Sequence, residues 1–385
     1  MLFGKLHDLR ASAAIGAALL LLGTSAANAT KFRVTNMVSD GSVAAPAHDS
    51  NLINPWGIAT SPKSPFWVAN NGTGTSTLYN TAGTVLPLVV TIPGPANPTG
   101  IVFNGSPSSF TVSSGGKSGS AAFIYSTEGG TIAGWSPGVN PTNAIQVVDN
   151  SALGAGAVYK GLAIGTSGGS SSLYATDFRN GLVEQFDSGF NLVRSFTDAS
   201  VAPGYAPFGA QVFGDHLFVT YALKDEEGED DVSGPGHGYV DEFALDGTLV
   251  RQLVAAGGEV DSPWGLAIAP SSFGSFAGDL LVGNFGDGTI SGFDLTTGAF
   301  EGRLLDEQGN PIMLGDLWGL IAGNGAAGGD TDKIYFTAGV SDEAHGLFGR
   351  IAAVPEPASW MLMLGGFGAV GGALRSRRKT SVSFG

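Results

Sequence analysis

The chain has 385 residues, 43% hydrophobic and 13% charged, with 61 glycines, no cysteine and a formal net charge of −15. The missing thiols exclude disulfides and cysteine chemistry, and the acidic balance repels phosphate backbones, so no nucleic-acid partner is expected. Glycine excess with low charge and regular apolar runs suits an all-β fold rich in turns, with a core large enough to need no staples.

Taken in order, residues 1–29 carry Lys5 and Arg10, an apolar run over 11–22, and Ala27-Asn28-Ala29. That sequence of basic, apolar and small residues predicts a secretory signal peptide cleaved after Ala29, which makes the secretion machinery a partner. Lys31 to Val38 reads as a strand standing before the first repeat.

Six repeats follow. Trp56-Gly57, Thr99-Gly100, Lys160-Gly161, Phe208-Gly209, Trp264-Gly265 and Trp318-Gly319 each open a short apolar run. A second run follows each one (66–70, 122–125, 173–177, 216–220, 280–284, 333–337), and a third begins with glycine or small residues, as at Gly130-Thr131 and Gly181-Leu182. Six four-stranded units predict a six-bladed β-propeller over 30–353, with blades at about 52–92, 97–149, 157–197, 205–254, 262–312 and 314–352. The sixth unit runs out before its outermost strand, so strand 31–38 is expected to supply it and close the ring. The inserts 113–120, 166–172 and 323–330 read as solvated loops. Blade four carries an acidic insertion, Lys224-Asp225-Glu226-Glu227-Gly228-Glu229-Asp230-Asp231.

In a propeller the inner strands start on the face where the second-to-third-strand loops emerge. The first set of rim residues is then Trp56, Thr99, Lys160, Phe208, Trp264 and Trp318. The second includes Asn70, Asn71, Glu128, Asp177, Asn180, the acidic loop, His237, Asn284, Asp287, Asp342, Glu343 and His345. Aromatic walls interrupted by polar groups suit a sugar or peptide ligand, and Trp56, Phe208, Trp264, Trp318, Lys160, Asp177, Asn284, Asp287, His237 and His345 are the ligand-binding candidates. The competing expectation is that tryptophans before glycine pack between blades and that Asn and Asp close turns. His237 and His345 precede the third strand in blades four and six, where imidazoles near carboxylates could bind a metal or move protons. No cofactor is required by the pattern; calcium is the ion that Asp230 and Asp231 would take, although the run does not follow the calcium-loop spacing. No Gly-x-Ser-x-Gly occurs, and no nucleophile triad is selected.

The end of the chain, 354–385, combines Pro355-Glu356-Pro357, an apolar segment from Trp360 to Leu374 and a basic stop of Arg375, Arg377, Arg378 and Lys379. It resembles the PEP-CTERM sorting signal of Gram-negative bacteria, which implies a hydrophobic sorting helix, a transient or retained membrane tail, and cutting by an exosortase-like membrane protease. Removing the two basic and one acidic residues of 1–29, and the four basic and one acidic of the tail, leaves 12 basic against 31 acidic residues, a net charge of −19.

The strings Asn-Pro-Trp-Gly-Ile (54–58), Asp-Asp-Val-Ser-Gly-Pro-Gly-His-Gly (230–238), Gly-Asn-Phe-Gly-Asp-Gly (283–288) and His-Gly-Leu-Phe-Gly (345–349) resemble an uncharacterised family of exported bacterial propeller proteins. The repeats are more distantly similar to NHL-type and lactonase-type propellers. The lactonase group implies a channel calcium held by Glu and Asn or Asp, whereas the inner strands here start with aromatic, Thr or Lys residues. Two functions are therefore expected. The first is a non-catalytic binding or structural module of the envelope or matrix, with extracellular polysaccharide or an envelope protein as partner. The second is a metal-dependent hydrolase or lyase at the channel mouth, using His237, His345, Asp177 and Asp287.

Overall fold

A computed structural model describes residues 30–94 and 97–355. The predicted signal peptide with Ala29, and the tail from Glu356 and Pro357 onward, lie outside the described residues. Six sheets, antiparallel except for one two-residue parallel pairing of Val38 and Ser39 with Ala47 and His48, make up the ring. Their inner strands are Pro55–Ala59, Pro98–Phe103, Tyr159–Ser167, Tyr205–Phe213, Pro263–Ile268 and Leu317–Ala322. In each of the first five sheets the strands pair in sequence order from the axis outward.

The sixth sheet is completed by the other end of the chain. Lys31–Ser39 pairs antiparallel with Leu347–Val354, from Lys31 against Val354 to Ser39 against Leu347, and Ala47–His48 adds a short fifth strand. The expected closure is therefore present, one residue longer than predicted. It works because Phe32, Met37 and Val38 are buried, so the strand carries apolar surface into the packing on both its faces. Phe32 is held by an insertion of blade five, its ring 4.9 Å from that of Phe273 and 6.0 Å from that of Phe276.

An apolar layer lies between every pair of neighbouring blades, including sixth and first, where Val38, Phe348 and Tyr335 meet Phe66 and Tyr79. This is the buried face that each alternating strand pattern demands, and it leaves no open end to the stack.

The recurring glycine has a steric origin. A β-carbon on Gly319 would lie 2.7 Å from the Trp56 carbonyl oxygen, on Gly161 2.8 Å from that of Phe208, and on Gly57 2.5 Å from that of Thr99. Gly209 approaches the Trp264 carbonyl, Gly265 the Trp318 carbonyl and Gly100 the Leu162 amide more closely still. Every inner strand thus touches the next at its glycine. A register shift accompanies each contact, for example between Pro263 and Gly265 and between Pro207 and Ala210, the local kink of a β-bulge. Hydroxyls on second strands finish the joint: Gly319 N–H donates to Thr337 Oγ1 (2.9 Å), and Thr337 donates to the Trp56 carbonyl (2.5 Å).

Two inserts differ from expectation. Residues 113–120 form most of a hairpin, Thr111–Ser114 with Lys117–Ser120, because Val112 is buried against blade two while Gly115 and Gly116 turn the tip at φ 57° and 76°. At 166–172 the inner and second strands simply continue to a tight turn at Gly168-Gly169. The outer strand of blade five is Phe300–Arg303.

Second-strand ends pair with inner-strand starts, as in Pro55 with Asn70, Tyr159 with Asp177 and Pro263 with Asn284. The loops after the second strands and the approaches to the inner strands therefore share one face, here termed the mouth. Leu347–Val354 begins at that face, opposite Ala338, and ends at the other. Pro355 is exposed there and lines a groove with Thr30 and Ser272.

Candidate functional site

The axis is filled. Trp56 and Trp318 stack with centroids 3.5 Å apart, Trp264 stands edge-on to both at 6.1 and 5.7 Å, and Phe208 and Phe285 pack on Trp318 at 5.9 and 4.2 Å. Edge-to-face and offset contacts of this kind hold aromatic rings more firmly than area alone. Just beside the inner-strand glycines the remaining void is about 30 Å³. Trp56, Phe208, Trp264 and Trp318 thus make a plug, each 9% exposed or less, instead of the wall of an open channel.

Above the plug lies a cleft of about 610 Å³, lined by Asn97, Glu128, Ser151, Arg179, Asp230 and Glu343 among others. Its floor is ionic. Lys160, whose side chain is 2% exposed, donates to Glu128 from blade two and to Asp230 Oδ1 from the blade-four insertion (3.0 Å). Its ammonium also sits 5.1 Å from the Trp56 ring centroid, a cation–π contact, and its carbonyl accepts the Trp264 indole N–H at 3.0 Å. Burial pushes the lysine down, but the two carboxylates outweigh it and raise it above its ordinary value, so it stays an ammonium.

Asparagines connect plug to cleft. The Trp318 indole N–H donates to Asn54 Oδ1 (3.0 Å); Asn54 Nδ2 donates to Glu343 and, at 3.4 Å, to Asn71 Oδ1; Asn71 Nδ2 donates to Glu128 Oε2 (2.8 Å). Asn97 adds a 3.3 Å bond to Asn71 Oδ1. Asn54 and Asn97 precede inner strands in left-handed conformation, φ 45° and 48°, where the outer strand's continuation must turn sharply toward the axis. Asparagine tolerates that region because its short side chain bonds locally.

Glu343 closes the cleft from blade six. It ends a run of four residues with positive φ, Val340 (25°), Ser341 (61°), Asp342 (54°) and Glu343 (61°). Each such L-residue costs about 1–2 kcal/mol, so the turn stores strain at the rim. Burial pushes the Glu343 carboxyl up to about 7, against the hydrogen bond from Asn54, with Glu128 and Asp230 repelling its charge and Lys160 attracting it. The folded chain then binds this proton more tightly than the unfolded chain does, and stability falls as pH rises from about 4.5 through 7. In melts at a series of pH values, Glu343→Gln is expected to remove that part of the decline, gaining on the parent chain between pH 5 and 8. Parallel curves for the two chains would refute it.

The other candidates are engaged elsewhere. Asp177, raised by burial, accepts from the Val158 amide (3.2 Å) and Asn180 Nδ2 (2.7 Å), closing a turn. Asn284 bonds Thr289 (3.1 Å) and Ser291 (3.3 Å), and Asp287 bonds the Thr289 amide (2.9 Å) and pairs with Arg303 (3.4 Å). His237 Nδ1 meets the Val232 carbonyl at 2.9 Å; His345 Nδ1 meets Asp40 Oδ2 at 2.6 Å. Asp231 bonds Ser233 (3.1 Å) while Asp230 holds Lys160. Among the described residues no group of three or more His, Asp or Glu is arranged to hold a metal ion. Asn54, Asn97 and Arg179 belong to neither rim set read from the sequence; the repeated Asn-Pro before inner strands (54–55 and 97–98) was the signal for the first two.

A PEP-CTERM protein-sorting motif matches residues 353–379. It makes the chain an exported propeller and implies processing by an exosortase. Among the described residues no helix is long and apolar enough to cross a membrane. Similar solved structures include virginiamycin B lyase from Staphylococcus aureus, 13% identical over 84% of this chain and 100% of that one, with a TM-score of 0.49. A streptogramin B lyase, 11% identical over 84% of this chain and 97% of that one, also scores 0.49. Two proteins of Acanthamoeba polyphaga mimivirus are far closer in sequence: uncharacterized protein R648, 33% identical over 84% of this chain and 80% of its own length, and uncharacterized protein L690, 32% identical over 83% and 85%. By that extent of shared sequence, this chain belongs to the family that contains R648 and L690.

Proposed function

We propose that the chain is a non-catalytic binding module of the cell envelope or extracellular matrix, with the mouth cleft as its ligand seat and extracellular polysaccharide as its partner. The observation that carries this reading is the plug. With the axis filled by Trp56, Trp264 and Trp318, the cleft is a blind cup whose lining is charged and amide-bearing. Such a cup suits a hydroxyl-rich chain that exchanges water hydrogen bonds for protein ones. The sorting motif supports the address. Because the last described strand leaves on the opposite face, a chain tethered through its tail turns the mouth away from the anchoring point.

The test is calorimetric binding of matrix polysaccharide from the producing cells to the purified chain. Ser151→Trp, at an exposed position lining the cleft, is expected to reduce affinity at least tenfold. Undiminished binding by that variant removes the cleft from the reading, and release of new reducing ends during incubation removes the word non-catalytic.

A further inference from the structure

Two cations serve this cleft, and one short loop covers both. Lys160 is bridged from above by Asp230, and Arg179, which lines the cleft, is bridged by Glu229. The burial of the partners is opposite. The Lys160 and Arg179 side chains are 2% and 23% exposed, while those of Asp230 and Glu229 are 75% and 60% exposed. The cations are built into the wall; the anions sit over them from solvent.

Those anions are adjacent residues on the blade-four insertion, which is a hairpin tip of its own. The backbones of Lys224 and Asp231 form an isolated antiparallel β-bridge, the Asp225 amide donates to the Asp230 carbonyl (2.9 Å), and the Val232 amide to the Leu223 carbonyl (2.7 Å). Gly228 lies against Arg179, and Lys224 Nζ donates to the Arg179 carbonyl at 2.9 Å. Ion pairs with an exposed carboxylate are held weakly, because water competes for the anion. Exchanging a loop carboxylate for a ligand carboxylate keeps the buried ammonium paired, so the exchange is nearly balanced. With the loop lifted, the cations Lys160 and Arg179 face Glu128 and Glu343, plus the Asn97 amide.

We propose that Glu229 and Asp230 are an internal stand-in for an anionic ligand, and that the mouth binds a chain bearing neighbouring carboxylates, an acidic polysaccharide, on Lys160 and Arg179 when the 225–231 loop lifts. This deepens the binding reading above and rests on it. The loop then sets a threshold: a single carboxylate cannot replace both of its contacts, whereas a chain with carboxylates on successive units can.

The experiment is calorimetry with trigalacturonate and with uncharged maltotriose at low salt, on the full chain. Glu229→Gln/Asp230→Asn removes the stand-in while leaving the backbone hairpin, and is expected to bind trigalacturonate about tenfold more tightly than the parent while still melting cooperatively. Added Arg179→Gln is expected to cancel the gain, and 0.5 M salt to weaken trigalacturonate binding by each chain. No gain in the double variant, or an equal gain for maltotriose, overturns the inference and leaves the binding reading intact. Failure of every chain to bind either sugar or the matrix polysaccharide sinks both.

Discussion

Gly265→Val is expected to abolish the cooperative near-ultraviolet melt of the tryptophan plug and to leave a chain that aggregates. A β-carbon at 265 collides with the Trp318 carbonyl oxygen, which is backbone of the neighbouring inner strand and cannot rotate away, and it presses on Leu320 at 3.1 Å. Overpacking a fitted core costs typically 1–3 kcal/mol, and a clash with backbone at the contact between the inner strands of blades five and six belongs at the upper end, about 3 kcal/mol or more. That is a large share of a domain's net stability. The matched control is Gly138→Ala, whose β-carbon meets nothing within 4 Å and whose φ is not positive; it is expected to change stability by less than about 0.5 kcal/mol. Urea titration of both variants is the measurement, and equal midpoints would refute the account of the glycine contacts between inner strands.

Lys160→Met is expected to cost about 2–3 kcal/mol. Removing one partner of a buried pair leaves uncompensated charge and typically costs 3–5 kcal/mol, but Asp230 is mostly exposed and rehydrates, so the penalty falls chiefly on Glu128. Adding Glu128→Gln to Lys160→Met is therefore expected to restore at least half the loss, a coupling that a double-mutant cycle reads directly. Strict additivity would show that the ammonium and carboxylate do not sense each other. The two variants report on different parts of the molecule: Gly265 on the ring, Lys160 on the floor of the cleft.

The ring itself was legible in the chain because its determinants repeat. One glycine per blade marks where neighbouring inner strands touch, and an aromatic, Thr or Lys before it marks what fills the axis; both recur six times at the same place in the unit. The closing strand was legible for a related reason: a sixth unit one strand short and an apolar strand left over at 31–38 answer each other. What the aromatic residues do was harder to read. Tryptophan before glycine suits a binding wall and a packing plug equally, and the difference lies in whether three indoles from blades one, five and six reach the axis together, which they do.

The sequence by itself determined the number of blades, the two-ended closure, the common face of the rim loops and the sorting motif at 353–379, since each depends on local spacing, on composition or on steric demands met within one unit and its neighbour. Only the tertiary structure decided that Lys160 pairs with Asp230 seventy residues on and that Glu128, Asn54 and Glu343 join the same cleft, while His237, His345 and Asp287 turn to other partners. The physical reason is that such contacts are set by where six loops of unequal length come to rest around one axis and by the direction each side chain takes from a strained or left-handed backbone. Neither quantity repeats along the chain.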